Sequence, residues 1–501
     1  NKFPPPSQGA GEGGGQLPQP AMNFPNSDSL YLALDQGGHA SRALVFDARG
    51  QVQARALRDV EVFHPRPDWV EQDPDELVQS LNEVIFEVRR ELGPRAAQLA
   101  GAGLATQRSS IVCWDRITGE ALSPVLSWQD RRAHAWLNRF TPEAARIHRA
   151  TGLRLSAHYG ASKLRWCLDH LPRVVAAAAA QRLACGPLAA FLVFRLTETR
   201  SLMVHPANAG RTLLFNLESL TWDEGLLHLF DIPRGALPEV VPTRFDYGPL
   251  VTAPRVPLTL VTGDQSAALF AAGAPQPSTA YLNMGTGAFV QRSAGHYPGD
   301  HPRLLTGIVL QDKEESVYVL EGTVNGAGSA LAWAAETLRL PDLVEELPGW
   351  LARTDAEPPL FLNGISGLGA PFWVADFESK YIGNGEPWQK AVAVAESIVF
   401  LLQANIDEFQ RLASPLEQIA ASGGLTHVDA LCQRLSDLSG LPLYRPVEHE
   451  ATARGLAWLL AGKPGEWPEH EIGRWFKPQP NPALRARYAR WREAMEQNLK
   501  L

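Results

Sequence analysis

The chain of 501 residues holds only four cysteines, Cys113, Cys167, Cys185 and Cys432, and no two are spaced Cys-x-x-Cys. That scatter offers neither a zinc-ligand pair nor a disulfide framework, so the sequence reads as a reduced, cytoplasmic chain. No run reaches the roughly 18 consecutive apolar residues of a membrane span. The nearest candidate, Val174 to Ala180, is a short alanine tract between Arg173 and Gln181. No secretory signal is visible. A basic surplus is missing too, since 46 Lys and Arg stand against 54 Asp and Glu for a net charge of −8. A nucleic-acid binder normally shows the opposite balance, although a local phosphate pocket stays open. Gly-x-x-x-x-Gly-Lys-Ser/Thr does not occur, nor does Gly-x-Gly-x-x-Gly after the first strand, His-Glu-x-x-His or Gly-x-Ser-x-Gly. These gaps argue against a P-loop, a dinucleotide-binding Rossmann unit, a zinc hydrolase and a serine hydrolase.

What is present is a globular balance, 45% hydrophobic and 20% charged residues, long enough for two large or three smaller folding units. Residues 1–28 are rich in Gly, Pro, Gln and Asn and read as a disordered linker or tag. The body opens at Leu30 with an apolar strand ending in Asp35 and Gly37-Gly38. A second strand follows at Arg42–Asp47 and a third over Val52–Val62, an antiparallel meander. Asp73-Pro74 predicts a capped helix, with Leu77, Leu81, Val84, Ile85 and Val88 on one face. Further apolar strands run into small and polar residues at Ala105, at Gly263-Asp264, at Gly285-Thr286-Gly287 and at Ser422-Gly423-Gly424. Strands that feed glycine-rich turns suit a mixed α/β fold with its site at the strand ends. The last helix, from Asn481 to Leu499, carries mixed charge and reads as solvated.

Several of these turns could carry chemistry. In Asp35-Gln36-Gly37-Gly38-His39-Ala40-Ser41-Arg42, the glycines let backbone N–H groups approach a ligand, Asp35 could hold hydrated Mg²⁺, and Arg42 could face phosphate oxygens. An ordinary polar β-turn explains the same segment. Asp264 precedes an apolar helix and serves equally as an N-cap or as a base for an attacking hydroxyl. Arg108 and Trp128, each just past a strand, could form a polyol pocket or a surface ion pair and a core aromatic.

Taken in order, these segments resemble the FGGY carbohydrate kinases, most of all their glycerol kinase branch. The resemblance rests on Ala33–Gly37, Trp69–Pro74, Thr106–Arg108, Trp128–Arg132, Thr151–Leu153, Asn208–Asn216, Leu237–Val240, Gly263–Gln265, Gly285–Gly287, Gly367–Trp373 and Ser422–Gly424. It implies a two-domain actin-like (ribonuclease H-like) ATPase fold, residues 29–272 and 273–501, with the active site in the cleft. It implies ATP-dependent phosphorylation of a sugar or polyol hydroxyl, with Mg²⁺, no nucleic-acid or membrane partner, and self-association left open. Asp264 would be the general base and Asp35 the metal-associated carboxylate. Gly37, Gly38, His39, Arg42, Gly285, Thr286, Gly328, Gly423 and Gly424 would serve the nucleotide. Arg108, Ser109, Trp128, His158, Tyr159, Gln265 and Phe289 would face the acceptor. The chain departs from the glycerol kinase pattern at Gly38-His39, where a Thr pair is usual, and at Ser109, where Glu is usual. It departs again at His158, where Tyr is usual although Tyr159 is adjacent, and at Val428-Asp429, where an adenine-side Asn is usual. The expectation is therefore a kinase for an acceptor other than glycerol. A true glycerol kinase with a rearranged pocket and a weakly catalytic nucleotide or sugar sensor are the alternatives.

Overall fold

A computed structural model of the chain describes residues 28–313, 315–353, 357–412, 414–447, 450–465 and 473–499. The expected linker at residues 1–28 therefore lies outside the described residues except for Asp28. No described helix is long and apolar enough to cross a membrane. All four cysteines are buried and unpaired.

Two sheets built on one plan organise the chain. In the first, β1 (Leu30–Gln36), β2 (Ala40–Asp47) and β3 (Val52–Asp59) form the expected antiparallel meander. β4 (Leu99–Thr106) runs parallel to β1, and a hairpin of β5 (Arg244–Leu250) and β6 (Ala253–Gly263) completes the order β5-β6-β4-β1-β2-β3. Every residue of β1 is buried, as its unbroken apolar run requires of a central strand. Helix α1 (Pro74–Leu92) covers one face. Asp73 caps it by accepting from the N–H groups of Asp75, at 2.8 Å, and Glu76, at 3.4 Å.

The second sheet repeats the pattern. β7 (Thr279–Met284) pairs antiparallel with β8 (Ala288–Gly295) and parallel with a later strand, as β1 does. With β9 (Leu305–Gln311), β10 (Ser316–Val324), β11 (Gln418–Ser422), β12 (Leu443–Arg445) and β13 (Arg474–Phe476), its order is β9-β10-β8-β7-β11-β12-β13. This is the two-domain actin-like arrangement. Helix α5 (Pro387–Leu412) packs on β8 and β10, and the separation is not complete in sequence, because helix α6 (Ala451–Leu460) packs back onto β1 and β4 of the first sheet.

The final helix, α7 (Pro482–Leu499), corrects the expectation of a solvated element. Leu484, Trp491 and Met495 are fully buried, and the Trp491 indole donates to the Phe361 carbonyl at 3.0 Å. The apolar stripe is only one residue wide, so the charged residues between these positions mask it in the sequence.

Candidate active site

The site is assembled from strand ends. β1 delivers Asp35 at its C-terminal edge, and β6 delivers Asp264 as the first residue of helix α3 (Asp264–Ala268). β1, β4 and β6 are mutually parallel neighbours, so their C-terminal ends share one edge of the sheet. The two carboxylates therefore meet although they belong to opposite ends of the first half of the chain. Burial, with the nearby Asp264 charge adding to it, pushes the Asp35 carboxyl up from 3.8 to about 7. Arg42, at 3.4 Å, pulls it back. Asp264 is also raised by burial, against the opposing pull of Arg108 and of the Gln265 N–H, which donates to Oδ1 at 2.7 Å.

The hairpin between β1 and β2 is a tight turn, closed by the Gly37 N–H on the Ala40 carbonyl at 2.9 Å. A buried amide chain holds it. Gln107 donates to Gln72 at 2.8 Å and to Gln36 at 3.2 Å, and Gln72 donates to the Gly38 carbonyl at 3.0 Å. His39 is exposed at the tip, and no atom of the described residues lies within 4 Å of where a Cβ on Gly38 would be.

Arg108 lies past β4 with its side chain 10% exposed. Its Nη2 donates to the Gln265 side chain, and it lies 3.9 Å from Asp264 and 3.9 Å from Glu321. Burial, with the Arg211 charge next, lowers its pKa to about 10, so it keeps its proton near neutrality. Glu321 accepts from Arg211 at 3.0 and 3.1 Å and from Gln291 at 2.7 Å. The Arg211 guanidinium lies over the Tyr159 ring, 5.9 Å from its centroid. Burial pushes the Tyr159 phenol up to about 12, with Glu321 opposing the pull of the arginines.

The expected pocket residues gather here with one distinction. Tyr159 joins the Arg108–Arg211–Glu321 group, whereas the His158 ring packs on Trp128, 5.7 Å between centroids. A phenol thus stands beside Arg211 at Tyr159, and the imidazole of His158 stands against Trp128. Burial and the surrounding Lys163, Arg131, Arg211 and Arg108 hold the His158 imidazole well below its ordinary range, hence neutral. Ser109 takes a left-handed backbone, φ 65°, and its buried hydroxyl has no hydrogen-bond partner among the described residues. Phe289 lies on β8 two residues before Gln291, opposite Thr323 of β10, and so on the face that carries Gln291 and Glu321.

The glycine turns converge at the end of the second sheet. β7 and β11 are parallel, with Asn283 beside Ser422, so Gly285-Thr286-Gly287 and Gly423-Gly424 leave the sheet together. Gly328 opens helix α4 (Gly328–Leu338) with its N–H on the Gly285 carbonyl at 3.0 Å, and the Ser329 N–H reaches the Thr286 carbonyl at 3.0 Å. Gly423 has φ 93°, and a Cβ there would sit 2.4 Å from the Met284 carbonyl oxygen. Only glycine fits such an approach.

Arg211 and Glu321, which surround Arg108, and Lys163, which bonds the backbone beside it, are residues that the sequence reading did not single out. Glu321 had a signal, a lone charge in the apolar run Val317–Val324. Arg211 sat unassigned inside the segment Asn208–Asn216.

Known proteins bear on this geometry. The model of the FGGY family of carbohydrate kinases, N-terminal domain, matches residues 30–271, and the C-terminal domain model matches residues 280–462. A glycerol kinase of Aromatoleum aromaticum is 34% identical over 487 residues, covering 93% of this chain and 98% of that protein. One from Trichlorobacter lovleyi is 36% identical over 454 residues, covering 88% and 92%. Among solved structures, Plasmodium falciparum glycerol kinase with ADP aligns at TM-score 0.85 and 24% identity, covering 94% of this chain and 98% of that one. A xylulose kinase from Rhodospirillum rubrum aligns at TM-score 0.81 and 21% identity, covering 94% and 99%. These two structural likenesses establish the fold, and the sequence matches reach further: the chain belongs to the FGGY family of carbohydrate kinases and is a phosphotransferase with an alcohol group as acceptor.

Proposed function

We propose that the protein transfers the terminal phosphoryl group of ATP to a hydroxyl of a small polyol or sugar. The observation that carries this reading is the meeting of Asp35 and Asp264 at one sheet edge, with Arg108 and Gln265 beside them. Phosphoryl transfer needs placement and charge neutralisation more than covalent chemistry. Asp264 accepts the proton of the attacking hydroxyl, and its raised pKa strengthens it as a base. Arg108 and Gln265, already bonded to each other, orient the acceptor. Tyr159 presents a neutral phenol, and Trp128 gives an apolar face to C–H groups.

Asp35 fits a Mg²⁺ site. Its buried carboxylate has one cationic neighbour in Arg42 and a second carboxylate close by, an arrangement short of positive charge. No group of three His, Cys, Asp or Glu side chains suited to a metal occurs among the described residues. That suits an ion held by one or two carboxylates, with water and phosphate oxygens completing the shell. When bound, Mg²⁺ neutralises phosphate charge. Gly38 and the turns at Thr286-Gly287 and Gly423-Gly424 offer backbone N–H groups to the phosphates, with Arg42 as the charged partner, while the Gly37 and Gly285 N–H groups close their own turns on the Ala40 and Gly287 carbonyls.

For the acceptor, we favour a chain longer than glycerol, about four to seven carbons. Ser109 stands where a Glu would flank Arg108, so the carboxylates that answer that arginine among the described residues are Asp264 and Glu321. Glycerol itself is the second reading, favoured by the place of Tyr159 and by the names of the relatives. Comparing kcat/KM for glycerol with that for tetritols, pentitols and ketoses in an ADP-release assay decides between them. A clear preference for glycerol overturns the longer acceptor; otherwise Ser109→Glu should move the ratio towards glycerol.

A further inference from the structure

Lys163 lies in the first turn of helix α2 (Gly160–His170) and is completely buried. Its ammonium donates to three carbonyls, those of His158 at 2.8 Å, Ser109 at 2.9 Å and Ser127 at 3.0 Å. All three belong to loop segments, and each adjoins a residue of the acceptor site: Ser109 follows Arg108, Ser127 precedes Trp128, and His158 precedes Tyr159. The same helix end binds a fourth segment, because the Ala161 N–H reaches the Thr212 carbonyl at 2.7 Å and the Gly160 N–H reaches Arg211 at 3.3 Å.

We propose that Lys163 is a positioning residue for the acceptor, fixing the mutual placement of Arg108, Trp128 and Tyr159 through the backbone beside each. This rests on the reading of those residues as the acceptor site. Three observations set Lys163 apart from an ordinary buried ion pair. The nearby carboxylate, Asp130, is occupied by Arg132 at 2.7 and 3.0 Å and by the Val70 N–H at 2.8 Å. An ammonium has three N–H donors, matching three carbonyls, whereas a neutral amine would turn its lone pair on one of them. Ser109 holds a left-handed backbone that a non-glycine residue keeps only when its surroundings enforce it, and its carbonyl is one of the three. Burial, with Arg131 adding to it, pulls the lysine well below its ordinary pKa, and the three carbonyls act against that pull by accepting from the charged form.

The test uses Lys163→Met, which keeps the stem and removes the donors, with Arg108→Lys as a control, each assayed with glycerol and ribitol as probe acceptors. Small misplacements of a positioned substrate cost up to about 10²-fold. Lys163→Met should lower kcat/KM for the acceptor about 10–100-fold, mainly through KM, with KM for ATP within about twofold. If Lys163→Met does not fold, Lys163→Ala assayed with and without propylammonium replaces it, and recovery of the acceptor KM on adding the cation is the expected result. A folded Lys163→Met with lowered thermal stability and an unchanged acceptor KM overturns the inference and leaves a core staple, as does Lys163→Ala whose acceptor KM ignores the cation. An unchanged acceptor KM in Arg108→Lys overturns the acceptor site itself, and this inference with it.

Discussion

Replacing Asp35 by Asn should stabilise the ligand-free protein, increasingly so as pH rises, while abolishing Mg²⁺-dependent turnover. Asp35 is 6% exposed, and its pKa stands at about 7 against an ordinary 3.8. A carboxyl raised on folding binds its proton more tightly in the native state. Its contribution is therefore most favourable below about pH 4 and is lost as pH climbs towards 7. A difference of about 3 pKa units at about 1.4 kcal/mol each makes the full cost about 4 kcal/mol. About half of that, roughly 2 kcal/mol, accrues between pH 5.5 and pH 8. Asn does not titrate and keeps the shape, so the variant avoids this cost and forfeits only the 3.4 Å contact with Arg42. Denaturant unfolding of variant and parent at a series of pH values, without nucleotide or Mg²⁺, measures the difference directly. The stability advantage of Asp35→Asn should grow by about 1–2 kcal/mol over that interval and level off above about pH 7.5. A difference that is flat with pH, or that favours the parent at pH 8, refutes the reasoning and with it the charge-starved metal site.

Asp264→Asn should leave the fold intact and lower acceptor-dependent kcat by about 10²–10⁴-fold, the usual size of a lost general base; turnover within about tenfold of the parent removes Asp264 from that role. Glu321→Gln should destabilise by about 3–5 kcal/mol, because Arg211 and Arg108 are left buried without their carboxylate, and a change in denaturation free energy below about 1 kcal/mol would contradict this. Nucleotide and acceptor together should reduce the radius of gyration in small-angle scattering, since the glycine turns lie on the second sheet and Arg108 on the first. An unchanged radius under saturation with turnover intact counts against a closing cleft.

Local chemistry made much of this molecule readable in advance. The β1–β2 hairpin, the Asp73-capped helix and the strands ending at Asp264, Thr286 and Gly423 each announce themselves within a few residues, through an apolar run closed by small and polar side chains. The resemblance then named both carboxylates. What stayed hidden depends on pairings no short window contains. Glu321 acquires its meaning from Arg211 and Arg108 on the other half of the chain, and Lys163 from three carbonyls in separate loops. Whether His158 or Tyr159 fills the phenol position turns on which ring meets Arg211, a question of packing. The buried face of α7 was missed because Leu484, Tyr488, Trp491 and Met495 form a single file between charged residues.

The return of α6 to the first sheet places a late segment of the chain beneath an early one. Gly455 lies so close to the Ala267 carbonyl that a Cβ would sit 1.8 Å from its oxygen. Thr452 donates to the Asp264 carbonyl at 3.3 Å, and Trp458 stacks on Phe270, 5.9 Å between centroids. The short helix that begins with Asp264 is therefore backed by Thr452, Gly455 and Trp458, which come far later in the chain. During synthesis, the first sheet emerges from the ribosome with this face bare, exposing Phe270, Leu260 and Ala33 until α6 arrives. The gap between the two matched domains is thus not a place where the chain can be cut into independent halves. A nascent or truncated product that stops before residue 451 carries Arg108, Trp128 and Tyr159 and lacks the support beneath Asp264.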